Sequence, residues 1–119
     1  MIDIQDSAQQ LQKTVNDHFE YIQAGHDFAR AFAIQFELTY TDFRMIELGL
    51  QLDGKGQATL LNSFKTAYQA VYRFEAPFAF GGLEEFDKQC RDMMVDYELA
   101  VKQLNKVLQQ VLVISHVAA

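Results

Sequence analysis

At 119 residues, half of them hydrophobic and ten of them Phe, the chain is long enough for one domain with a packed core and too apolar to be disordered throughout. Its single proline and six glycines leave long stretches without breakers, which favours helices. The net charge of −6 argues against a uniformly nucleic-acid-binding surface, and the lone Cys90 excludes an internal disulfide and a cysteine-based zinc site.

The opening MIDIQDSAQQ lacks the basic and apolar parts of a signal peptide. Residues 5–36 follow as the first predicted helical region, with Asp6 or Ser7 available as a cap. Ile4, Ala8, Leu11, Val15, Ile22, Ala29, Phe32 and Phe36 recur at steps of three and four, with His18 and Gly25 filling gaps in the stripe. Gly25 costs about 1 kcal/mol relative to Ala in a helix interior, so a kink or break is expected there. His18 and His26 lie two turns apart, not the four residues typical of a helical metal pair, and are read as core-edge or interface residues. His26 also lacks the Lys and Gly that follow the exposed His of phosphotransfer domains.

Around residue 28 the apolar pattern widens until little polar face remains, which predicts burial on several sides or a subunit interface. The Phe-rich segment 28–43 could line a pocket for a small-molecule effector or fill a core. Phe32, Ile34, Phe36, Leu38 and Tyr40 also alternate with smaller or polar residues, as do Ile46, Leu48, Leu50 and Leu52, so a hairpin competes with the helix reading. A cap at Thr41 or Asp42, with Phe43, Ile46 and Leu50 on one face, favours a second helix over 42–52. Gly54 of Asp53-Gly54-Lys55-Gly56 can end it.

Two short helices, about 57–63 and 66–76, are predicted next. Leu60, Phe64, Ala67, Val71 and Phe74 line one face; Tyr68, Gln69, Tyr72 and Arg73 fall mostly on the other. Residues 54–74 contain Lys55, Lys65 and Arg73 and no acid, whereas 1–53 hold nine acids against three bases. Ala76-Pro77 is expected to end this region, and Gly81-Gly82 to turn sharply. From Leu83 to about Ser115 no breaker occurs, and Phe86, Cys90, Met93, Tyr97, Ala100, Leu104, Val107 or Leu108, and Val111 form a near-heptad stripe. One unbroken helix there would run roughly 48 Å, so it must break or project into a partner. Glu84, Glu85 and Asp87 suit its N-terminal dipole. Cys90 on the stripe is expected to be a buried structural thiol. The apolar end VLVISHVAA is too short to span a membrane.

Leu38-Thr39-Tyr40-Thr41-Asp42-Phe43, and the spacing of Leu60, Phe64, Val71 and Arg73, resemble the MarR-type winged-helix regulators. The family's wing hairpin has only Pro77 to Gly82 in its place, without a base. The resemblance implies an all-α domain with a helix-turn-helix-like part at about 42–76. It further implies dimerisation helices at about 5–36 and 83–115, and a homodimer that binds duplex DNA. Lys65, Thr66, Tyr68, Gln69, Tyr72 and Arg73 would then face the major groove and Lys55 the backbone. The competing expectation is a non-enzymatic helical bundle, antirepressor-like or immunity-like, that binds a protein partner and no DNA. Both readings are of a soluble cytoplasmic protein that needs no cofactor or metal and carries no catalytic residue.

Overall fold

The computed structural model describes the backbone of residues 4–25, 29–53 and 58–118, and the side chains of 4–25, 34–52 and 58–113. Helix α1 spans Gln5–Gln23, α2 Ala29–Asp53, α3 Ala58–Cys90 and α4 Met94–Ala118, with a single 3₁₀ turn, Arg91–Met93, before α4. Among the described residues there is no strand. Helix α1 packs on α2 and α4, and α3 packs on the same two. The four helices therefore close a ring in chain order, the arrangement of an up-and-down bundle with short links. The long dimension is 44 Å and the two others 24 and 17 Å.

The all-α expectation holds, and the hairpin reading does not. Several predicted boundaries move. Ile4, not Asp6 or Ser7, stands at the N-cap of α1, and no side chain caps it. Asp6 lies in the first turn, where its charge suits the helix dipole. Ile4 is buried, and its Cγ2 occupies the space that a Cβ at Gly49 would need. Only glycine lets α1 come this close to α2. The stripe of residues 5–36 does break where Gly25 predicted. Gly25 has φ +80, and its amide donates to the carbonyl of Ile22, which closes α1.

Helix α2 runs straight through the predicted start at Thr41-Asp42. The hydroxyls of Thr39 and Thr41 bond backward to the carbonyls of Gln35 (2.6 Å) and Glu37 (3.2 Å). They act inside the helix and do not cap one. Asp42 hydrogen-bonds Ser7 of α1 instead; burial raises its pKa and Ser7 draws it back.

The two short helices expected at 57–63 and 66–76 are one. Helix α3 passes unbroken through 63–66 and through Pro77, and its backbone leaves helical geometry at Gly82 (φ 73, ψ −165). Phe74 and Phe78 are both buried and fix the helix on either side of the proline. Gly82 takes a conformation open to few other residues and turns 83–90 away from the axis. Cys90, at φ −131 and ψ −7, then leads into the 3₁₀ turn. The long last helix of the sequence thus breaks between 90 and 94. Its stripe, Phe86, Cys90, Tyr97, Ala100, Leu104, Val107, Leu108 and Val111, is buried in this chain's own core, and Met93, in the 3₁₀ turn, is half-buried. So is the α1 stripe. Neither is left over for a partner.

Candidate functional site

Two features stand apart from ordinary packing. The first is a polar layer that runs from the bundle's interior to its edge, built from one residue of each helix: His18 of α1, the exposed Gln35 of α2, Glu75 of α3 and Tyr97 of α4. His18, Glu75 and Tyr97 are almost completely buried. His18 Nδ1 lies 2.9 Å from Glu75 Oε1, and His18 Nε2 lies 2.8 Å from Gln35 Oε1. Both ring nitrogens face oxygen acceptors, a setting that suits the doubly protonated imidazolium. Burial pulls the His18 pKa down. The hydrogen bond and charge of Glu75, with Gln35 and Asp17, raise it past its ordinary value.

The layer is not fully satisfied. Glu75 Oε2 and Tyr97 Oη have no hydrogen-bond partner among the described residues. Burial, followed by the neighbouring Glu75 charge, holds the Tyr97 phenol well above its usual range. Aromatic rings wall it in: Tyr97 stacks on Phe74 at 5.2 Å, and Phe19 meets it edge-on at 4.9 Å.

The second feature is the outward face of α2. Ile34, Leu38, Met45, Leu48 and Leu52 are all exposed, between 38 and 65 %. With Thr41 they occupy positions 34, 38, 41, 45, 48 and 52, a four-three-four-three-four spacing on one face. Thr39, Phe43, Ile46 and Leu50, all buried, run along the opposite face. Helix α2 therefore has one stripe in the core and a second in solvent.

Of the residues implied by the regulator resemblance, Thr66, Gln69 and Arg73 share an exposed face of α3 and the others do not join them among the described residues. Tyr68, expected outward, is buried and stacks on Phe43 at 4.3 Å. Tyr72 is half-buried against Phe36, with ring centroids 5.1 Å apart. Lys65 Nζ lies 3.6 Å from Glu47 Oε2, and the same buried carboxylate also pairs with Arg44. Thr66, Gln69 and Arg73 are exposed on α3. Lys55, with Gly54 and His26, lies outside the described residues.

Phe36 and Phe43, from the segment considered for an effector pocket, fill the α2–α3 seam with Phe64, Tyr68 and Tyr72. Arg73 borders an open groove of about 490 Å³ beside Pro77 and Phe80, at the bend of α3. Cys90 is buried as expected, and burial pushes its thiol pKa up, away from reactivity. No helix among the described residues is long and apolar enough to cross a membrane.

Sequence reasoning found His18 as an irregularity in a stripe but not its partners. Glu75 follows Phe74 directly, so it lies only one residue off the Phe64-Val71-Phe74 face. A carboxylate that close to an apolar face was the available signal. No protein-family model matches the chain, and no curated protein or solved structure does either.

Proposed function

We propose that the chain is a non-enzymatic protein-interaction module whose contact face is the outer stripe of α2. The observation that carries this reading is the second apolar stripe, regular from Ile34 to Leu52 and turned away from the core. The ionisable groups with chemical potential, His18, Glu75, Tyr97 and Cys90, are buried and serve the bundle. The acidic balance, with Glu47 engaging Lys65 and Arg44, leaves little positive field for a polyanion.

The regulator reading makes a different demand. It needs Thr66, Gln69 and Arg73 to meet a duplex from the exposed side of an unbroken helix. Titration with a short duplex at about 50 and about 200 mM salt separates the two, because phosphate contacts make affinity fall steeply with salt. We expect no salt-dependent binding. Binding that weakens with salt, and weakens further in Arg73→Ala, would overturn the interaction-module reading.

A further inference from the structure

We infer that the occupant of the outer α2 stripe is a second copy of the same stripe, laid antiparallel across a two-fold axis at the level of Phe43. The inference rests on the interaction-module reading and names its partner.

Three observations lead to a second copy. The first is geometric. Reversing the stripe about residue 43 maps Ile34 onto Leu52, Leu38 onto Leu48 and Thr41 onto Met45. Each side chain of one copy therefore meets a side chain of the other, as an isologous contact requires. The pairs Ile34–Leu52 and Leu38–Leu48 are purely apolar.

The second is area. The stripe spans roughly 27 Å of helix axis at 1.5 Å per residue. Its exposed apolar side chains present roughly 500 Å² per copy, within what a monomer leaves in one patch and somewhat below the ~800 Å² per partner of a standard interface. The face is thus matched by one helix of its own length.

The third is charge. In a parallel pair Glu37 would flank Asp42 of the other copy at two symmetry-related places, like against like, beside an apolar seam. In the antiparallel pair Glu37 flanks Gln51, which is neutral, while Arg44 meets Arg44 and Asp42 meets Asp42 near the axis. There each Arg44 is already paired with its own Glu47 and each Asp42 is hydrogen-bonded to its own Ser7.

The experiment is the solution mass of the intact chain, measured by light scattering from roughly 1 to 100 µM, a range that brackets micromolar association. Wild type is expected at twice its 13.6 kDa. Leu38→Glu/Leu48→Glu is expected to raise the dissociation constant about a hundredfold or more, since it buries four carboxylates per dimer. Its circular dichroism should not change, because both positions are exposed. If that variant fails to fold, Leu38→Gln/Leu48→Gln takes its place with the same direction.

Direction is read by cross-linking in a Cys90→Ala background. Thr41→Cys and Met45→Cys chains, mixed and oxidised, should form the mixed disulfide in preference to either symmetric one. A monomer at every concentration, a dimer indifferent to both double variants, or a preference for symmetric disulfides each overturns the proposal. A monomer that also ignores DNA removes only the second copy as occupant, whereas salt-dependent DNA binding removes the reading beneath it.

Discussion

Helices α1 and α2 are neighbours in the same bundle, yet they spend their apolar residues differently. Helix α1 has one stripe: Ala8, Leu11, Val15, His18 and Ile22 are buried, and between them lie mostly polar residues. Helix α2 has two, on opposite sides. Thr39, Phe43, Ile46 and Leu50 seal the core, while Ile34, Leu38, Met45, Leu48 and Leu52 face water. A helix that only has to close a core needs the α1 pattern. The second stripe of α2 contributes nothing to this chain's own core, and that surplus argues for a partner. The two helices also differ in how they tolerate a polar residue within a stripe. Helix α1 buries His18 and surrounds it with partners; the outer stripe of α2 has Thr41, whose hydroxyl is satisfied within its own helix.

The largest effect that tests this contrast is at His18. Removing it in His18→Ala leaves the Glu75 carboxylate buried and unpaired, and breaking such a pair costs about 3–5 kcal/mol. Leu38→Ala on the outer α2 stripe should stay within about 0.5 kcal/mol in the dilute monomer. Urea unfolding of the two variants checks the difference. Replacing both partners, as in His18→Leu/Glu75→Leu, should recover most of the loss, because an apolar pair of similar volume is often neutral or better.

The same pair sets a pH dependence. The folded pKa of His18 lies above its ordinary 6.5. Its stabilisation is therefore fully present below 6.5 and declines as pH rises through the folded value. The unfolding midpoint should fall over that window in wild type and lose this component in the double variant. A midpoint that rises across the window would mean that His18 is held neutral.

Sequence periodicity made α1 legible because one stripe has one period. Over part of α2 it left a strand reading in competition with the helix, for a physical reason. Two helical stripes on opposite faces interleave, so Ile46, Leu48, Leu50 and Leu52 point in, out, in and out. That alternation is what a strand would show, and the helical spacing within each face is hidden by the other. Thr41 looked like a cap because a hydroxyl can serve a helix start or bond back into a helix, and local sequence does not distinguish the two. The break at Gly25 and the bend at Gly82 were legible because both glycines adopt positive φ. The run of α3 through Pro77 was not, since Phe74 and Phe78 outweigh the lost hydrogen bond only once a core exists. The four-helix convergence of His18, Gln35, Glu75 and Tyr97 depends on long-range packing, which spacing along one chain does not encode.

A narrower comparison lies within α2. Ile46 and Leu48 are two residues apart, one fully buried and one exposed. Ile46→Ala should cost about 2–5 kcal/mol, the range for core truncations. That cost should not depend on protein concentration. Leu48→Ala should cost little when dilute and more as concentration rises, because association stabilises only the folded state. Thermal unfolding over a roughly hundredfold concentration range separates the two. Equal costs at all concentrations would mean that both residues serve the same core.

The smallest effect is at Thr41, the polar gap in the outer stripe. Thr41→Leu removes the back-bond to the Glu37 carbonyl and replaces a β-branched residue with a better helix former. The dilute monomer should gain a few tenths of a kcal/mol at most from propensity. The dimer should gain more, since the introduced isobutyl group would fill the layer against Met45 of the second copy, at about 1 kcal/mol or more for the apolar area removed from water. Measuring monomer stability and dissociation constant on the same variant shows which gain dominates. A gain confined to the monomer would make the outer stripe an accident of composition, and α2 would then differ from α1 in pattern without differing in purpose.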